Sequence, residues 1–85
     1  MIIEKKILTS YFEKIISGEK NFEVRLADEK YSAGDIIILK EIDSNRKYTG
    51  REIKKEVTYV TNTKNCENWP KEDIKKYGLA IIGLK

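Results

Sequence analysis

Three side chains in one short stretch carry most of the chemistry this sequence offers: Lys20, Glu23 and Arg25. Residues two apart on a strand share a face, so Glu23 and Arg25 can pair, and a paired guanidinium is held in a fixed orientation. Its planar fork of donors suits a phosphate or a base edge. Lys20 stands at the start of the strand, beside a turn at Gly18 that brings backbone amides close. A lysine, an arginine and nearby amides compose an anion site. The competing reading is a plain surface ion pair worth about 0–1 kcal/mol, and spacing alone favours that one.

A second basic feature runs from Arg46 to Lys64. Arg46, Lys47, Arg51, Lys54, Lys55 and Lys64 stand against Glu52 and Glu56, with Tyr48 and Tyr59 among them. Basic side chains can track phosphates while aromatic rings stack bases. A solvated strand face and hairpin, with the tyrosines at the edge of the fold, explains the same pattern equally well. Lys54, Lys55 and Glu56 also suit an edge strand protected against pairing. Thr49 is the one hydroxyl considered for chemistry, although a turn hydroxyl bonded to backbone is the simpler reading. Trp69 could stack a base or cap the fold. Cys66 has no histidine or second cysteine to activate it. Asp28, Glu29 and Asp35 match no known metal loop, and no cofactor motif is present.

The elements that must position these residues follow from periodicity. Residues 2–8 read as a short strand. Thr9 and Ser10 offer N-caps to a helix over 10–17. Its apolar face is Tyr11, Phe12, Ile15 and Ile16, and Gly18 supplies the left-handed turn after it. Residues 20–26 alternate, which predicts a strand with Phe22, Val24 and Leu26 on a core face and Asn21, Glu23 and Arg25 on a polar one. Ala33-Gly34-Asp35 marks a turn, and 36–39 is an aliphatic run suited to a buried strand. Residues 43–50 read as a hairpin loop, with Gly50 at positive φ at its exit. Residues 51–61 are rich in strand formers. Pro70 suits the first position of a short helix over 71–76, ended by Gly78, and 79–84 is the last strand. The class is α+β. Five short strands around a thin core predict a small β-barrel, because closure removes exposed edges. The 10–17 helix would close one end of it.

Bulk properties narrow the function. The chain has 85 residues and a formal net charge of +3, with 40% hydrophobic and 36% charged residues. That is one domain, residues 1–85, with a thin core and a mild attraction for polyanions. The absence of histidine excludes a Cys–His nucleophilic pair and a His-bearing zinc site. A single cysteine forms no internal disulfide. No apolar run approaches the ~20 residues of a membrane span, and residues 1–6 are too charged for a signal peptide. A cytoplasmic protein with no membrane partner is expected.

Taken together, the run Gly18-Glu19-Lys20-Asn21-Phe22-Glu23-Val24-Arg25 resembles the signature of the ASCH domains in the PUA-like superfamily: glycine, any residue, lysine, two residues, glutamate, any residue, arginine. The helix before it, the Gly34-Asp35 turn with its following strand, and Tyr48-Thr49-Gly50-Arg51 are similar to further family elements. The last of these resembles a small stand-alone ASCH-related group. The similarity spans roughly residues 5 to 60. It implies a PUA-like barrel and a cleft lined by Gly18, Lys20, Glu23 and Arg25 that binds RNA or a nucleotide, with Tyr48 and Arg51 as further ligand contacts. Some relatives are amidohydrolases acting on an acylated cytidine. They use the signature lysine with a threonine three residues later and a distant glutamate. Position 23 is Glu here, and a carboxylate does not replace that hydroxyl in the same mechanism. Three functions are therefore carried forward. The first is an RNA- or nucleotide-binding module. The second is an enzyme on a modified nucleoside or RNA, with Lys20 and Glu23 catalytic. The third is a module that docks an acidic protein on the basic ribbon.

Overall fold

The computed structural model describes residues 1–65 and 75–85. The helix expected over 71–76 falls largely outside those residues, and Cys66, Trp69 and Pro70 fall wholly outside them. Five strands and one helix make up the chain in the order β1 (Ile2–Leu8), α1 (Thr9–Ile16), β2 (Phe22–Leu26), β3 (Ile36–Ile42), β4 (Tyr48–Asn62) and β5 (Leu79–Leu84), with a 3₁₀ turn at Thr63–Asn65. They form a mixed sheet in the order β1-β3-β4-β5-β2. β1 runs parallel to β3, and the other three pairings are antiparallel.

The sheet is α+β as expected, but it is open where a closed barrel was anticipated. β1 and β2 lie at its two ends and share no ladder. The long β4 makes the sheet curl. Its residues 48–56 pair with β3 and its residues 57–62 with β5. The strand therefore passes from one half of the sheet to the other, and the far side of 48–55 carries no partner strand among the described residues. Lys54 and Lys55 sit on that side-unpaired stretch, which fits their reading as edge-strand residues.

The core lies on the concave face. Ile3 and Ile7 of β1, Ile37 and Leu39 of β3, Val57 of β4 and Ala80, Ile82 and Leu84 of β5 are buried around Phe12 and Ile15 of α1. Each large aliphatic or aromatic side chain so buried contributes about 1.5–3 kcal/mol. Only the Phe12–Ile15 stripe of the helix is inside. Tyr11 and Ile16, expected on the same face, are half exposed, because an eight-residue helix lying on a curled sheet reaches it along one narrow line. The helix start also differs from expectation. Leu8 occupies the cap position in extended conformation and no side chain caps the first turn. Thr9 instead donates its hydroxyl to the carbonyl of Ile42 at 3.3 Å, tying the helix to the end of β3.

The hairpin between β3 and β4 is shorter than the loop read from sequence. Asp43 closes it by accepting the amides of Asn45 at 2.8 Å and Lys47 at 3.0 Å. Gly50 does take a positive φ of 93°, but inside β4, where the register shifts between Lys40 and Ile42. This bulge places both Thr49 and Arg51 opposite Glu41. Glu41 is 2% exposed. Its carboxylate accepts two bonds from Arg51, each 2.7 Å, and one from the Thr49 hydroxyl. The Arg51 guanidinium also reaches Glu13 of α1 at 2.5 Å and covers the Phe12 ring at 4.9 Å. One ion pair, buried at its Glu41 end and half exposed at Arg51, thus fastens helix, hairpin and sheet together.

The Arg51 hydrogen bonds, helped by Thr49, pull the Glu41 carboxyl down from 4.5 to about 2. The same bonds raise the Arg51 guanidinium further above its ordinary range. A folded-state carboxyl held below its unfolded value stabilises fully above that unfolded value and loses its effect as pH falls through the folded one. Glu41→Gln should therefore lower the thermal midpoint by about 10 °C or more at pH 7. The gap to the wild type should shrink as pH falls from 4.5 toward 2. Circular dichroism melts across that range measure it; a gap independent of pH would show that Glu41 is not ionised in the folded protein.

Candidate nucleic-acid interface

The candidate site lies on the open side of the sheet. A cleft of about 970 Å³ lies between the facing edges of β1 and β2, with Tyr11 and Lys14 of α1 and the β3–β4 hairpin at its ends. It exists because β2 returns from the helix to the far end of the sheet. Gly18 makes that return possible. Its φ of 83° lies in the left-handed region, and the chain turns back so that the Lys20 amide reaches the Lys14 carbonyl at 3.0 Å.

β2 presents the face opposite to the one its alternation suggested. Glu23 is 4% exposed, while Phe22, Val24 and Leu26 are exposed by 43%, 48% and 47%. The reason is register. Glu23 lies opposite Ile82 and Arg25 opposite Ala80, and both partners belong to the core face of β5. The polar alternation therefore points inward and the apolar one outward. Burying Glu23 is tolerable because both its oxygens are taken. Lys20 donates to Oε1, and the Arg25 Nε donates to Oε2 at 2.9 Å. The Lys20 ammonium also donates to the Phe22 carbonyl at 2.9 Å and lies 5.4 Å and 5.2 Å from the centres of the Tyr11 and Phe22 rings. Arg25 sends Nη2 across the cleft to the Lys6 carbonyl of β1 at 2.6 Å. A side chain, in place of a strand ladder, thus bridges the two edges. Nη1 of Arg25 has no hydrogen-bond partner among the described residues.

Lys20, Glu23 and Arg25 converge at the cleft. Gly18 supplies the turn alone: its amide donates to the Ile15 carbonyl at 3.2 Å, and the neighbouring amides expected to help hold an anion are likewise spent on the helix end. Arg51 is not in the cleft; its guanidinium is committed to Glu41 and Glu13. Tyr48 is exposed at the rim, where the Lys6 ammonium sits 5.7 Å from its ring. Thr49, the candidate hydroxyl, donates to Glu41. No serine or threonine lines the cleft, and among the described residues no three metal-ligating side chains gather.

Sequence reasoning missed Lys5, Lys6, Tyr11 and Lys14 as cleft residues. Six basic side chains line the cleft (Lys5, Lys6, Lys14, Lys20, Arg25 and Arg46) against the three carboxylates of Glu4, Glu19 and Glu23. Lys14 pairs with Glu19, and Lys5 with Glu29 beyond the cleft. Lys6 and Arg46 make no ion pair among the described residues. Arg46 carried a signal, as the first residue of the basic segment; it holds a φ of 62° in the hairpin. Lys6 carried none, since its position depends on which edge of the sheet is left open.

No helix among the described residues is long and apolar enough to cross a membrane. No curated protein matches the chain. A crystal structure titled hypothetical protein PH0355 is similar over 100% of this chain and 98% of its own, at 24% sequence identity and a TM-score of 0.66, so the fold is one already seen in a solved structure. A family described only as a domain of unknown function, DUF3850, matches residues 2–71. With that match spanning β1 to the region beyond β4, the chain belongs to the DUF3850 family.

Proposed function

We propose that the chain is an RNA- or nucleotide-binding module whose ligand lies in the cleft between β1 and β2, an ASCH-type site on an incompletely closed PUA-like sheet. One observation carries this reading: Lys20, Glu23 and Arg25 meet at a cleft with an excess of basic side chains and two half-exposed aromatic rings at its mouth, Tyr11 and Phe22. Glu23 acts as the fixed anchor that aims Lys20 and Arg25. Its oxygens are occupied, so it does not itself read the ligand. The free nitrogen of Arg25, with the unpaired Lys6 and Arg46, meets phosphate or a base edge. Tyr11 and Phe22 offer stacking surfaces, each such contact being worth about 1–3 kcal/mol per base. The unladdered backbone of β1 adds donors and acceptors along the same wall.

Fluorescence anisotropy with labelled single-stranded RNA at low salt tests this. Arg25→Ala should weaken binding by about tenfold or more, a loss of ~1.4 kcal/mol. Neutralising two or three phosphates predicts a log–log salt slope of about −1.4 to −2.1, and Lys6→Ala should reduce it by roughly 0.7. Undetectable binding at low salt, or an Arg25→Ala protein that melts and binds as the wild type does, would overturn the reading.

The Lys20 side chain is already engaged by the Glu23 carboxylate and the Phe22 carbonyl, and no Ser or Thr among the described residues lines the cleft as a nucleophile. Incubation with acylated cytidines and RNA oligomers should accordingly give no product by liquid chromatography. Turnover that vanishes in Lys20→Ala would instead make the cleft an active site.

A further inference from the structure

The outward face of β2 and β5 is apolar and bears no charge. Val24 lies directly opposite Ile81 and Leu26 opposite Leu79, while Phe22 lies opposite Gly83. β4 extends the same face with Tyr59 beside Gly83 and Thr61 beside Ile81. Leu79 is 43% exposed, Ile81 39% and Tyr59 68%. β5 is thus apolar on both faces, the pattern of a strand covered on both sides, yet among the described residues nothing covers its outer one. Exposed apolar residues scattered singly are ordinary; a contiguous, charge-free sheet face is a binding surface.

We propose that this face is the interface of a symmetric dimer, and that its occupant is the same face of a second copy of this chain. Area supports a second copy. The outward side chains of β2, β4 and β5 offer on the order of 500 Å² per copy, so a pair removes ~1,000 Å² from water, the lower limit of a specific interface. Shape supports it too. Two sheet faces of this kind pack with interdigitating side chains about 10 Å apart, and a two-fold axis needs only that the face be self-complementary, which a charge-free apolar surface is. A polyanion finds no cation on this face, whose centre of Val24, Leu26, Leu79 and Ile81 is wholly aliphatic. A chain of 85 residues also has a thin core, to which a dimer adds a second apolar layer. Glu23 and Arg25 point inward while Leu26 points to the partner, and Phe22 and Val24, which also line the cleft, mark where the two surfaces meet along β2.

Sedimentation equilibrium from low micromolar to millimolar protein tests the proposal. The wild type should pass from the 9.9 kDa of one chain to twice that mass. The transition should persist in high salt, because apolar association is not screened. Ile81→Lys and Leu79→Lys should each raise the dimer dissociation constant by about 100-fold or more, with unchanged far-ultraviolet circular dichroism. Wild type that stays monomeric throughout, or charged variants that dimerise as it does, would overturn the proposal. Should both variants fail to fold, amide NMR shifts of the wild type on dilution decide. Changes confined to residues 22–26, 59–61 and 79–83 support the dimer, and changes elsewhere or none overturn it.

Discussion

A carboxylate placed inside a small protein must be held by cations, and much of this molecule is arranged around that constraint at Glu23. Lys20 and Arg25 each bind one of its oxygens. Because those two bonds make its burial possible, β2 can turn its polar alternation inward. The apolar alternation then has nowhere to go but out. The floor of the cleft and the apolar outer face are two consequences of one orientation. Arg25, already fixed by Glu23, extends to the backbone of β1 and holds the two sheet edges at a distance set by the length of its side chain.

Glu41 obeys the same rule at the other end of the fold. It too is buried, and it too is met by an arginine, with Thr49 in the place Lys20 takes at Glu23. The outcomes differ. At Glu41 the guanidinium is saturated by Glu41 and Glu13 and closes a seam between α1, β3 and β4. At Glu23 the guanidinium keeps a nitrogen without a partner beside an open cleft. One buried carboxylate anchors structural cement; the other leaves donors facing a cavity. The distinction rests on what surrounds the arginine, since the residue types are the same.

Much of the chain's local structure was legible in its residues. The presence and order of the strands, the helix before Gly18 and the turn at Gly34 follow from alternation, aliphatic runs and glycine placement. The boundaries follow less closely: β3 runs on to Ile42 past the aliphatic run over 36–39, and β4 starts at Tyr48, earlier than the expected residue 51. Gly18 and Gly50 both take the positive φ expected of them. The grouping of Lys20, Glu23 and Arg25 was legible as well, from spacing and from the signature it resembles. Three things were not. The inside and outside of β2 were exchanged, because alternation has two faces and only the register with Ile82 and Ala80 says which is buried. Arg51 looked like a ligand contact, because a basic residue beside an aromatic one says nothing of a carboxylate ten positions earlier in a neighbouring strand. Lys6 was invisible, because a lysine on a strand becomes a cleft residue only when that strand is left at a sheet edge.

By itself the sequence determined the elements, their turns and the chemical kind of the central triad. All of these rest on interactions between residues a few positions apart: hydrogen bonds one turn away, side chains two residues apart on a strand, glycine's freedom at positive φ. Tertiary structure alone decided that the sheet stays open between β1 and β2, that Glu23 lies inside it, and that Val24, Leu26, Leu79 and Ile81 lie outside. Those outcomes depend on pairings across the chain, β1 with β3 and β2 with β5. Such pairings are selected by how the whole set of apolar and charged side chains can be satisfied at once.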